Sequence, residues 1–230
     1  MKSKIKTFPI LATMLFSVCL LVQCTKSNQQ KEKLSTGNEI VETLDQLFDR
    51  LSSIDTNQVD SIIHIDEQIR KVVEQISSPK LLEEIHQTYK TERHDYTLAY
   101  SNDGSLGVFS WKTRLNNGAM SSIKNIALYE NDGKLIPTSL YGKPIVYKKI
   151  HSQSSAWNKQ VYILSGGFVS ENDTLQRVNS YHITKNGLEE AYIFKNRTWE
   201  LTLDTTEIPS NLEAYLAIPP KKTANNLYQD

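Results

Sequence analysis

Five histidines carry the imidazoles of this chain: His64, His86, His94, His151 and His182. None falls in an H-E-x-x-H repeat or another metal-ligand spacing. His64-x-Asp66 and His94-Asp95 are arrangements that chance supplies freely. His86 and His94 flank the end of a predicted helix and read as surface imidazoles. Among the serines there is no G-x-S-x-G elbow. Ser165-Gly166-Gly167 sits inside an apolar run, where glycines mark a bulge or a close backbone approach. No G-x-x-x-x-G-K-[ST] or G-x-G-x-x-G loop cradles a phosphate. Asn102-Asp103-Gly104 and Asn131-Asp132-Gly133 lack the alternating ligands and closing glutamate of a calcium loop. Two carboxylates can serve as acid and base on a glycan, and Glu189 with Glu190, or Asp204 with Glu207, have the residue types for it. Sequence spacing selects neither pair, so no catalytic residue, metal ligand or cofactor is assigned.

Aromatic side chains say more. There are 11 tyrosines, 6 phenylalanines and 3 tryptophans. Tyr96, Tyr100, Tyr129, Tyr147, Tyr162, Tyr181 and Tyr192 fall on or beside predicted strands, where tyrosine packs across strand pairs. A stacking surface for a sugar or peptide would draw on Trp157, Trp111 or Tyr181. Trp157 leads, because Ser152 to Lys159 is a polar loop in which an indole has no evident core duty. Trp111 and Trp199 lie within strand patterns and favour the core.

Helices and strands must position these groups. Thr36 and Glu39 have capping-box spacing. Ile40, Leu44, Leu47, Phe48 and Leu51 then share one helical face. After a polar break at Ser52 to Gln58, Ile62, Ile65, Ile69, Val72, Val73 and Ile76 form a second stripe. Ser78-Pro79 is a cap followed by a first-turn proline, opening a short helix with Leu81, Leu82, Ile85 and Tyr89 inward. From Asp95 the period falls to two. Strands are expected over 95–100, 105–113, 119–129, 134–140, 145–150, 161–169 and 175–183. A last hairpin of 188–195 and 198–204 turns at Asn196-Arg197. Turns rich in Asn, Asp and Gly separate them. The spacing predicts an α+β fold, with N-terminal amphipathic helices followed by an antiparallel β meander, sandwich-like or barrel-like.

The amino terminus has its own chemistry. Lys2, Lys4 and Lys6 precede an apolar run from Phe8 to Val22 that ends in Leu21-Val22-Gln23-Cys24. The run is short for a spanning helix and suits a secretory signal. Its end resembles a lipobox, the recognition sequence of bacterial lipoproteins, with Leu21 in the apolar position and Gln23 where a small residue is usual. The resemblance implies cleavage before Cys24 and acylation of its thiol. Two or three acyl chains hold a water-soluble domain at a membrane without a protein span. Cys19 would leave with the signal, so the mature chain has no disulfide and no catalytic thiol. Ser101 to Met120, with D-G-S-L-G-V-F-S-W and N-G-A-M, resembles a segment of envelope lipoproteins from Bacteroidota-type bacteria. That group has no established activity and transfers no functional residue. Acidic residues soon after the cysteine accompany surface export in such bacteria. Thr25 to Gln30 has none, so the resemblance implies an outer-membrane anchor facing the periplasm.

The expected organisation is a signal at 1–23, a flexible tether at 24–35, a helical segment at 36–94, a β domain at 95–218 and a frayed tail at 219–230. Lys plus Arg equals Asp plus Glu at 26 each. Loss of the three signal lysines leaves a mildly acidic chain, which argues against nucleic acid as a partner. The reading is a lipid-anchored envelope protein, a non-catalytic binding or assembly module for an envelope protein or glycan. The alternative is an envelope hydrolase acting on cell-wall or polysaccharide material.

Overall fold

A computed structural model of the chain describes residues 34–116, 121–141, 145–154, 159–169, 174–203 and 216–217. Three helices come first: α1 (Gly37–Ser53), α2 (Val59–Glu74) and α3 (Pro79–Thr88). Both predicted caps form. Thr36 Oγ1 accepts from the Glu39 amide while the Glu39 carboxylate accepts from the Thr36 amide, a closed capping box. Ser78 caps α3 ahead of Pro79. Each helix buries one stripe: Ile40, Leu44, Leu47, Phe48 and Leu51 on α1; Ile62, Ile65, Ile69, Val72 and Val73 on α2; Leu82 and Ile85 on α3. Gly37 lets α1 meet α3 closely. A Cβ there would lie 2.6 Å from the Glu84 carbonyl carbon.

Nine strands are described: β1 (Tyr96–Tyr100), β2 (Leu106–Asn116), β3 (Ser121–Asn131), β4 (Lys134–Ser139), β5 (Val146–Ser154), β6 (Gln160–Val169), β7 (Thr174–Thr184), β8 (Gly187–Glu190) and β9 (Glu200–Leu203). They form two antiparallel sheets. The first is a meander β1-β2-β3-β4; the second runs β5-β6-β7-β8, with β9 also on β7. The fold is therefore mixed α+β with a β-rich core. In the first sheet alternate residues serve two faces. Tyr96, Leu98, Phe109, Trp111, Ile126 and Leu128 are buried on the helix side, where Phe48 of α1 stacks on Tyr96 and Asp66 of α2 meets Trp111. Ala99, Leu106, Val108, Ala127 and Tyr129 face the other way. They form one core with Ile145, Tyr147, Ile150, Tyr162, Leu164 and Tyr181 of the second sheet and its approach. Contacts group the described residues from Ser35 onward as one unit. The helical segment and the β region thus belong to the same body.

Asp132 (φ 51°) and Gly133 (φ 77°) are consecutive left-handed residues, the geometry of the tight β3–β4 turn. The glycines inside β6 act as their pattern predicts. Opposite them β5 slips register between Tyr147 and Lys149, and a Cβ on Gly166 would stand 2.2 Å from the Val146 carbonyl oxygen.

The predicted hairpin of 188–195 with 198–204 is corrected. β8 pairs with Tyr181–Thr184 and β9 with Gln176–Asn179, so both lie end to end along β7. The segment between them leaves the sheet. Its Phe194 is fully buried against Val161, Ile163, Val178, Leu203 and Leu216 on the outer face of the second sheet. Burying that ring outweighs continued pairing. Ser180 hands β7 from one partner to the other: its amide donates to the Trp199 carbonyl, and its carbonyl accepts from the Ala191 amide.

Candidate functional site

The elements define two ends. Thr36, the start of α3, and the β1–β2 and β3–β4 turns share one end, where Leu82 of α3 lies over Gly107 and His86 stacks on Tyr100 at 4.3 Å. The last turn of α1, the start of β1 and the far part of β2 share the other.

At the first end the β1–β2 turn presents Asp103. Its Oδ1 accepts from Ser101 Oγ (2.7 Å) and the Ser105 amide (3.1 Å), and its Oδ2 accepts from the Tyr162 hydroxyl (3.0 Å). Burial pushes the Tyr162 phenol up to about 12, so it stays a donor. Three donors hold Asp103 as a fixed carboxylate. Two clefts flank it. One, of about 580 Å³, is lined by Pro79, Lys80, Glu83, Tyr100, Asn102 and Glu130 among others. The second, of about 540 Å³, is lined by Lys159, Gln160, Tyr162, His182, Thr184 and Lys185 among others. Ser105 and Glu130 line both, so the two adjoin as one groove. Burial holds the His86 imidazole below its ordinary value against the opposing pull of Glu83. His182 lies 3.6 Å from Glu189 across the β7–β8 pair.

At the second end a cleft of about 430 Å³ opens between α1, β1, β2 and Val146, with mainly apolar walls that include Phe48, Leu51, Tyr96 and Trp111. His94 lines it. This histidine is not the surface imidazole that the sequence suggests. Its side chain is 7% exposed, its Nδ1 is 2.6 Å from Asp45 Oδ1, and its ring packs between Tyr89 and Tyr96 at 5.1 and 5.2 Å. The Tyr96 hydroxyl is buried without a hydrogen-bond partner. Burial, reinforced by the Asp45 charge, drives its pKa far above the ordinary phenol value. Arg114 adopts φ 58° at a β2 irregularity and crosses to α1, where Nη1 donates to the carbonyls of Leu51, Ser52 and Ile54. It caps the helix C-terminus. The cleft hydroxyls are engaged with backbone: Ser52 Oγ donates to the Asp49 carbonyl, Thr97 Oγ1 donates to the Tyr147 carbonyl, and Ser110 Oγ accepts from the Tyr147 amide.

The aromatic candidates do not converge. Trp111 is 2% exposed, and its Nε1 donates to Asp66 Oδ1 at 2.8 Å. Tyr181 is buried between the sheets, its ring 5.6 Å from that of Trp199. Neither offers a ring face for stacking, because the alternation that makes a strand aromatic visible also buries it. Trp157 and Cys24 lie outside the described residues, as do Asp204 and Glu207. The strands flanking Trp157 end in the Ser154–Gln160 pair, and Lys159 and Gln160 line the groove. Glu190 accepts from the Tyr192 hydroxyl at 2.7 Å. Among the described residues no group of three or more His, Cys, Asp or Glu could hold a metal ion. Sequence reading weighed His94 but missed its pairing with Asp45, 49 positions away. No protein-family model, curated protein or solved structure matches the chain.

Proposed function

We propose that this is a lipid-anchored protein of the cell envelope, held through Cys24 at the outer membrane and facing the periplasm, whose folded unit is a binding module for a glycan. The antiparallel strands serve as a rigid sandwich behind three amphipathic N-terminal helices. The observation that carries the binding reading is the pair of neighbouring clefts, together the groove, beside Asp103. Carboxylates, amides, hydroxyls and lysines among its lining residues can meet a sugar's donors and acceptors, and the more apolar part beside Tyr162 can meet a ring face. Lys159 and Gln160, at the start of β6, border it, and Trp157, close to them in sequence, is the residue offered for stacking. Asp103, fixed in place by three donors, is positioned to accept from a bound hydroxyl. Among the described residues no helix is long and apolar enough to cross a membrane, which is compatible with anchorage by lipid.

The test is co-sedimentation of the full chain with purified peptidoglycan and with envelope polysaccharide. Trp157→Ala and Glu83→Gln should each weaken binding. Capture that is equal for wild type and both variants would reject the groove. The hydrolytic reading is favoured at one place, the Asp45–His94 pair in the opposite cleft.

A further inference from the structure

Independently of the groove, we propose that the cleft under the last turn of α1 hydrolyses small apolar esters, with His94 as general base toward water. Four observations meet there. Asp45 Oδ1 lies 2.6 Å from His94 Nδ1, an acceptor that keeps a proton on Nδ1 and orients the ring so that Nε2 is the nitrogen that can take a proton from water. His94 lines a cleft of about 430 Å³ whose walls are mainly apolar, the size and character for a short acyl chain. Tyr96, which also lines it, carries a buried hydroxyl with no partner. Such a group costs stability unless something accepts from it, and an oxyanion formed from a carbonyl is such an acceptor. The cleft hydroxyls of Ser52, Thr97 and Ser110 are engaged with backbone, so water is the nucleophile rather than a side chain.

The step balances without any co-reactant. His94 Nε2 takes a proton from water as the water oxygen bonds to the ester carbonyl carbon. The carbonyl π electrons move onto oxygen, toward the Tyr96 hydroxyl. The oxyanion then re-forms the carbonyl and the bond to the alkoxide breaks. The alkoxide takes the proton from Nε2, leaving a carboxylic acid and an alcohol. An ester suits this site better than an amide, because an alkoxide departs with less protonation than an amine needs.

The experiment uses the full-length chain and p-nitrophenyl butyrate. The expected result is saturable hydrolysis, with kcat/KM rising with pH to a plateau. His94→Gln should lower kcat/KM by about 10²-fold or more. Asp45→Asn should lower it about tenfold and change the pH profile. Tyr96→Phe removes only the unpartnered oxygen, so it should keep the fold and KM while reducing kcat. His151→Gln, an exposed control, should match wild type. The proposal is overturned if native protein is no faster than protein unfolded in urea. It is equally overturned if Asp45→Asn and Tyr96→Phe, both folded by circular dichroism, leave kcat/KM and its pH profile unchanged. These two variants decide the matter even if His94→Gln fails to fold.

Discussion

Replacing Asp66 by alanine tests how the helices are held on the first sheet. Asp66 is 3% exposed on the buried face of α2. Its Oδ1 accepts from Trp111 Nε1 at 2.8 Å and its Oδ2 from Lys124 Nζ at 3.1 Å. In Asp66→Ala the indole N–H stays buried with its acceptor gone, which costs about 1–3 kcal/mol. The Lys124 side chain is 35% exposed, so water recovers it and its share is about 1 kcal/mol or less. The sum is about 3 kcal/mol, a large part of the roughly 5–15 kcal/mol that stabilises an ordinary domain. Urea unfolding of the full-length chain should show a lower midpoint with an unchanged slope. Trp111→Phe keeps most of the ring and deletes the donor. The double variant Asp66→Ala/Trp111→Phe should therefore cost less than the two single changes added together. A loss below about 1 kcal/mol for Asp66→Ala, or strict additivity in the cycle, would refute the claim that this bond ties α2 to β2.

Four further outcomes are expected. Gly166→Ala places a methyl group 2.2 Å from the Val146 carbonyl oxygen and should destabilise by about 3 kcal/mol in the same unfolding assay. Thr36→Ala should cost about 1 kcal/mol by opening the capping box. The box also predicts a pH dependence: hydrogen bonds from Ser35 and then Thr36 hold the Glu39 carboxyl below its ordinary 4.5. A folded value below the unfolded one stabilises above pH 4.5 and is lost as pH falls through the depressed value. The gap in urea midpoint between wild type and Glu39→Gln should therefore be present at pH 7 and narrow at pH 3. Cys24→Ala should abolish incorporation of radiolabelled palmitate in a bacterial host; undiminished labelling would place the lipid on another atom.

Local rules made most of the elements legible. Thr36 with Glu39, and Ser78 with Pro79, satisfy amides a few residues away, so their spacing carries the whole interaction. The same holds for Asp132-Gly133, whose turn is decided by two dihedrals. The failure between β8 and β9 has a non-local cause. Ala191 to Lys195 and Thr198-Trp199 read as the two arms of a hairpin about Asn196-Arg197, yet the apolar face this segment covers is assembled from Val161, Ile163 and Val178, with Leu216 completing the cluster. No window around Phe194 contains those residues. Ser180, which joins the two strands to β7, carries no signal of its own in a run of strand residues.

The candidate chemistry was hidden for a related reason. His94 beside Asp95 is a pattern that means nothing, and the partner that matters is Asp45, on the half-exposed flank of α1. A carboxylate there reads as ordinary solvated surface, because helix periodicity records only which residues avoid water. The one local hint was aromatic density: Tyr89, His94 and Tyr96 fall within eight positions, and an imidazole between two tyrosines tends to be enclosed by them. Trp111 shows the reverse error. An indole on a strand can serve as a core filler or a ligand platform, and alternation cannot distinguish them. Its N–H decides, by spending its single donor on Asp66 inside the fold. The groove beside Asp103 lies between these cases. Asn102-Asp103-Gly104 was legible as a turn, but the donor that fixes the second oxygen, Tyr162, comes from the other sheet. Only the packing of two sheets converts a turn residue into the centre of a polar surface. On that logic, Tyr162→Phe should weaken glycan capture by freeing Asp103 while leaving the β1–β2 turn intact, and capture equal to wild type would show that Asp103 needs no second anchor.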